Sequence, residues 1–173
     1  MTTPDTRPGI PTRGPQLTAT QVWRQLQRSS FAVISYRTPA GDPRSSGVLY
    51  AAEGRRLYVV VATDSWKARH IAVDGRVAVT VPVRRGGLLS LLMPIPPATI
   101  SFHGRATVRP AGEPEIGALP GRVARLLPTE RRASSTIIEI APEGRFATYG
   151  IGVSLQRMRH PAAARATVPV ADR

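Results

Sequence analysis

Short apolar runs alternate along the chain with clusters of Pro, Gly and charged residues, and the periodicity of each run sorts it into an element. Leu17-Thr18-Ala19-Thr20-Gln21-Val22 opens a helix, because Thr18 and Gln21 have capping-box spacing and Leu17 can staple onto Val22. Over Ala19 to Gln27, Val22, Trp23 and Leu26 fall on one side. Phe31 to Tyr36 predicts a strand and Thr38 to Pro43 a turn cluster. Arg44 to Ala52 is a second strand, closed by a hairpin turn at Glu53-Gly54. Leu57 to Ala62 and Val77 to Val83 are compact β-branched runs that suit well-buried strands.

The stretch between those two runs organises the rest. Thr63 to Val73 is too polar for a strand and long enough for a helix of two to three turns. Asp64 or Ser65 would cap its start, Ile71 would pack inward, and Asp74-Gly75 would end it. Its entrance offers unpaired backbone N–H groups, the Thr63 and Ser65 hydroxyls, and the cations Lys67 and Arg69. Such a constellation suits a phosphate.

Further on, Ala98 to Arg109 alternates as a strand with Gly104 as its expected bulge. Gly121 to Leu127 reads as a basic amphipathic helix, Ser134 to Ile140 as a strand, and Phe146 to Val153 as the last strand. Residues 1–16 carry the Pro, Thr and Gly content of a disordered segment, and 157–173 reads as a flexible Ala- and Arg-rich tail. One domain over 17–156 is the expectation. Short strands joined by tight turns predict a mainly β protein, an antiparallel barrel with a few helices.

Arg84 to Pro97 interrupts the strands with Leu88, Leu89, Leu91, Leu92 and Met93, set between Gly86-Gly87 and Pro94. Three readings fit: a lid over a pocket, a subunit interface, or a patch on a membrane surface. The run is too short to span a bilayer.

The net charge of +13 predicts affinity for polyanions, which keeps an arginine-rich nucleic-acid-binding barrel as a competing reading. The arginines are dispersed, however, Lys67 is the only lysine, and asparagine is missing, a pattern that looks like GC-rich coding bias. An anionic cofactor or substrate is the better use of the charge. With no cysteine, disulfides, thiolate metal sites and cysteine nucleophiles are excluded. Met1 to Pro15 lacks the apolar core of a signal peptide, so a cytoplasmic protein is expected.

Catalytic sets are thin. His70, His103 and His160 lack metal-ligand spacing, and no nucleophile elbow, dinucleotide fingerprint or Walker loop is present. An enzyme built from this chain would rely on a bound cofactor.

Phe31 to Val81 resembles the flavin-binding split β-barrel superfamily of pyridoxamine 5′-phosphate oxidase-like proteins. The order of three strands is the same. Ser65-Trp66-Lys67-Ala68-Arg69-His70-Ile71 is similar to the family's Ser-Arg-Lys-x-x-Asn/Gln-Leu phosphate motif. Asp74-Gly75-Arg76-Val77 resembles its Asp-Pro-Arg-Val strand entry, and His103-Gly104-Arg105-Ala106 a later Gly-x-Ala strand. The resemblance implies a homodimer with FMN or the deazaflavin coenzyme F-420 held between subunits, passing a hydride to or from a small-molecule substrate.

Carried over by position, Lys67 would pair with the cofactor phosphate, and Ser65, Val61, Ala62 and Thr63 would line the same site. Ser46, Gly47 and Val48 would run along the isoalloxazine, and Thr99 would be contributed by the other subunit. Trp66 is expected to pack against a ring or a neighbouring loop rather than under a cation, while Arg69, Arg84 and Arg85 would serve the deazaflavin's longer anionic tail. Ser46, Trp66 and His70 depart from the oxidase pattern, which argues against the vitamin oxidase reaction itself. The alternative within the same fold is a non-catalytic flavin- or haem-binding module.

Overall fold

The computed structural model describes residues 14–84, 97–111, 121–126 and 133–171. Helix α1 spans Ala19–Arg28 and begins with the expected capping box: Gln21 N–H donates to the Thr18 hydroxyl, and the Gln21 side chain accepts from Thr18 N–H. Its apolar side, Val22, Trp23 and Leu26, is buried in the core. Strand β1 is Phe31–Arg37, β2 Pro43–Leu49, β3 Ala51–Glu53 and β4 Arg56–Ala62. The expected second strand is thus broken at Tyr50, whose side chain turns away to donate a 2.8 Å hydrogen bond to the Leu26 carbonyl. Helix α2 is Trp66–Val73, and β5 Arg76–Val83 follows. Then come β6 Ala98–Pro110, a short α3 Gly121–Ala124, β7 Ser135–Tyr149, α4 Leu155–Met158, α5 Pro161–Ala164 and β8 Arg165–Pro169.

The strands form one antiparallel sheet in the order β2-β1-β5-β6-β7-β4-β3, with β8 added on β7. The sheet curls so that β2 and β4, far apart in that order, approach each other. This is the split barrel expected from the sequence. Alternate residues point into the barrel: Ala32, Ile34 and Tyr36 from β1, Val77, Val79 and Val81 from β5, and Ile138 and Ile140 from β7. Trp23 and Phe146 pack edge to face at 5.5 Å, as do Phe102 and Phe146, and these contacts tie α1 to the barrel interior.

Three differences from the sequence expectations have local causes. The two late strands are one, because Ser135–Tyr149 runs unbroken and changes partner midway, from β4 at its start to β8 at its end. The irregularity in β6 lies between Ser101 and His103 rather than at Gly104. Gly104 is instead a point of close approach, where a Cβ would run into the Ala141 carbonyl. Finally, the tail is not loose: Arg165–Pro169 pairs with Arg145–Tyr149, and the Val170 carbonyl accepts from the Trp23 indole at 3.1 Å. The 84–97 interruption falls largely outside the described residues, as do residues 1–13.

Candidate functional site

Helix α2 sits where β4 ends. Thr63 N–H donates to the Ser134 carbonyl at 2.9 Å, and Ser65 N–H to the Ala62 carbonyl at 3.0 Å, which turns the chain sharply into the helix. The first intrahelical bond runs from Arg69 N–H to the Ser65 carbonyl. The N–H groups of Trp66, Lys67 and Ala68 therefore precede any helical partner. Ser65 is the N-cap by backbone geometry, yet its hydroxyl makes no capping bond, which leaves it available alongside those N–H groups. The Thr63 hydroxyl accepts from the Thr136 hydroxyl at 3.3 Å.

Lys67 is half-buried, and among the described residues it has no carboxylate partner. Several arginines elsewhere do pair: Arg56 with Glu139 at 2.7 Å and Arg76 with Asp74 at 2.9 Å. The fork of Arg76 on Asp74 holds that carboxyl below the usual carboxylate range, and the Arg76 backbone N–H adds to it.

A chain of side chains links α2 to β2. The Ser46 hydroxyl and the Tyr36 phenol share a hydrogen bond of 3.2 Å. The Tyr36 ring lies 6.0 Å from the His70 ring, which lies 6.0 Å from the Trp66 ring. The Arg69 guanidinium is 5.3 Å above the Trp66 ring. Trp66 thus meets a ring, that of His70, as expected, and also the cation that the sequence reading places second, because three residues' spacing on a helix stacks Arg69 over Trp66. Trp66 is 70% exposed and packs on no other described ring or loop besides its own helix neighbours. His70 Nδ1 is buried without a hydrogen-bond partner.

Three residues the sequence reading left out of the site belong to this neighbourhood. Tyr36 and His70 bridge Ser46 to α2. Arg44 shares a strand face with Ser46 and stands opposite Tyr36 in the β1–β2 register. The signal for Arg44 was the alternation of β2 itself, two residues back from Ser46.

The structure divides the remaining expected residues. Val61 and Ala62 end β4, Thr63 and Ser65 lead into α2, which carries Trp66, Lys67 and Arg69 and packs on β1 and β6, and Ser46 joins this group through Tyr36 of β1. Val48 points inward and is part of the core. Gly47 points to the outer face, where the Phe31 ring lies against it: a Cβ there would be 3.0 Å from two ring carbons. Thr99 pairs with Pro82 and Tyr149. Helix α2 packs instead beside Arg105 to Val108, where Ala106 N–H donates to the Gly75 carbonyl at 2.7 Å. Six residues of β6 separate the two places, about 20 Å of strand. Arg84 lies past the end of β5, opposite the end that α2 feeds, so one chain does not unite Arg84 with Arg69. Arg85 lies outside the described residues.

The family model for pyridoxamine 5′-phosphate oxidase matches residues 19–149. The chain belongs to the pyridoxamine 5′-phosphate oxidase family. Similar solved structures are split barrels of low identity. General Stress Protein 26 from Bacillus anthracis str. Sterne is 18% identical with a TM-score of 0.55, over 75% of this chain and 92% of that one. An F-420 reductase is 20% identical at a TM-score of 0.52, over 76% and 97%. A heme binding protein from Mycobacterium smegmatis is 18% identical at 0.62, and the match takes in 90% of this chain but 60% of that protein. No curated protein matches in sequence. Among the described residues no group of three or more His, Cys, Asp or Glu side chains could hold a metal ion, and no helix is long and apolar enough to cross a membrane.

Proposed function

We propose that this protein is a cytoplasmic homodimeric oxidoreductase that binds FMN or coenzyme F-420 and moves a hydride between it and a small molecule. The observation that carries the reading is the α2 entrance, where N–H groups without a helical partner, the Ser65 hydroxyl without a capping bond and Lys67, which has no carboxylate partner among the described residues, fall within one turn. Such a site fits a phosphate monoester, because each donor is short of an acceptor and the helix dipole adds positive potential. The buried, unpartnered His70 Nδ1 is a further group that a ligand or its water would satisfy.

The residues then have defined tasks. Lys67, Ser65 and the first turn of α2 anchor the phosphate. Ser46, held by Tyr36, presents its hydroxyl on the inner face of β2 beside the seam. When bound, the flavin or deazaflavin supplies the hydride chemistry. The protein's share is to fix the ring and keep water from it.

Two features support the homodimer reading. The outer face of β2, β1, β5 and β6 is uncharged at its centre, with Val33, Ser35, Ser45, Ala78, Thr80 and Ser101 on neighbouring register positions. Hydrogen bonds within this face, Ser35 to Ser45 at 2.8 Å and Thr80 to Ser101 at 3.0 Å, pair its hydroxyls with one another. Thr99, remote from α2 in its own chain, then serves the site of the second copy. The test is the absorption spectrum of the purified protein, followed by titration with FMN, F-420 and haem, with light scattering for mass. Saturable binding of FMN or F-420 to a dimer supports the reading. Binding of haem alone, or of none of the three, defeats it.

A further inference from the structure

Trp66 is the first residue of α2, and it is 70% exposed. It joins none of the apolar clusters among the described residues. Side chains on an α-helix lean toward its N-terminus, so the indole stands toward the same end of α2 that carries Lys67 and the N–H groups without a helical partner. The ring is nevertheless held in place. The Arg69 guanidinium lies 5.3 Å from its centroid, and the His70 ring lies 6.0 Å away at 47°.

Stacking uses the face of a guanidinium and leaves the N–H donors in its plane free. Arg69 has no carboxylate partner among the described residues, so those donors are open to an anion. Asp64, the one carboxylate of this turn, is exposed. A fixed aromatic ring with most of its surface in solvent, beside a phosphate anchor and an unpaired guanidinium, has the parts of a base-stacking platform. It offers a π-face for the base and a cation for the link that leads to it.

We infer that the ligand does not end at the anchored phosphate: it continues through a second phosphate, held by Arg69, into a nucleotide base stacked on Trp66. The inference rests on the cofactor reading above. It makes the ligand a flavin dinucleotide, FAD, whose FMN half occupies the site already described. FMN ends at the anchored phosphate and would leave Trp66 and Arg69 bare. The anionic tail of F-420 would suit Arg69 but brings no ring to Trp66.

FAD, FMN and F-420 are titrated by calorimetry into the full chain at one salt concentration, with light scattering for mass. FAD should bind about tenfold or more tighter than FMN, the scale of one base stacked on an aromatic side chain. Trp66→Ala should bring the ratio of the two affinities close to one, whereas Trp66→Phe, which keeps a ring, should retain most of it. Arg69→Gln should lower the same ratio. Trp66 and Arg69 are exposed, so the variants should keep the wild-type melting temperature, and that is checked first. Equal affinity for FMN and FAD, binding of F-420 without either flavin, or a ratio untouched by Trp66→Ala would each overturn the inference and leave the cofactor reading standing. A wild-type dimer that becomes a monomer in Trp66→Ala would overturn it too, since the second copy would then be what covers the ring. Failure of all three cofactors to bind would remove the cofactor reading and this inference together.

Discussion

The Tyr36 phenol on β1 and the Ser46 hydroxyl on β2 share a hydrogen bond of 3.2 Å, although Ile34, not Tyr36, is the register partner of Ser46. The bond is diagonal across the strand pair, with both residues on the inner face and the Tyr36 ring 6.0 Å from the His70 ring. If Ser46 contacts the cofactor ring, Tyr36→Phe should weaken cofactor binding by about 0.5–1.5 kcal/mol through loss of that positioning bond. Ser46→Ala should weaken it by a similar amount, and the double variant by less than the sum. A titration series on the four proteins decides; full additivity would uncouple the two residues.

Lys67→Ala should cost about 1.5–3 kcal/mol of cofactor affinity, the range for a hydrogen bond to a charged group. Affinity is compared at one salt concentration, with the melting temperature as a folding control. Unchanged affinity would remove Lys67 from the site.

Trp66 is exposed and stands beside the proposed phosphate anchor, whereas Trp23 is buried on the core side of α1. Cofactor binding should therefore quench indole emission from Trp66 alone. The quench should vanish in Trp66→Phe, while Trp23→Phe should retain it. Loss of folding stability in Trp66→Phe should stay within about 0.5 kcal/mol, as for other surface changes.

Burial raises the Tyr50 phenol well above its usual 10.0, a shift that its contact with Ser29 only partly opposes. The sign follows from linkage. A raised folded-state pKa means that the stabilisation is complete below the unfolded value and is lost as pH rises from there toward the folded value. Denaturant midpoints should therefore fall above about pH 10, where the phenol of the unfolded chain ionises. Tyr50→Phe should flatten that limb, and should cost about 0.5–1.5 kcal/mol near neutrality through the lost bond to the Leu26 carbonyl. An unchanged alkaline limb in the variant would place the transition elsewhere.

Gly104→Ala should destabilise the barrel by about 1–3 kcal/mol, since a methyl there meets the Ala141 backbone and not a side chain that can swing away. Gly54→Ala is the control, because nothing lies within 4 Å of its added Cβ. That position has a φ of +57°, so its smaller loss reports backbone preference alone. Equal losses at the two positions would remove the close approach as the cause.

What the sequence determined by itself was local. The Thr18–Gln21 capping box, the apolar side of α1, the alternation of β1 and β5, and the polar helix between two β-branched runs are each fixed by interactions within a few residues. Those interactions keep their sign wherever the segment is placed, so the strand–helix–strand core and its cation-bearing entrance were legible before any folding. Tertiary structure decided which residues share that entrance. Tyr36 and His70 join Ser46 only because β1 carries β2 on one edge and receives α2 at one end. Thr99 and Arg84 are separated from Lys67 by the length of β5 and β6, and Arg165–Pro169 is a strand only because the second half of β7 offers it an open edge. Strand pairing is set by complementarity between edges far apart in the chain, and an isolated segment carries no record of the edge it will meet.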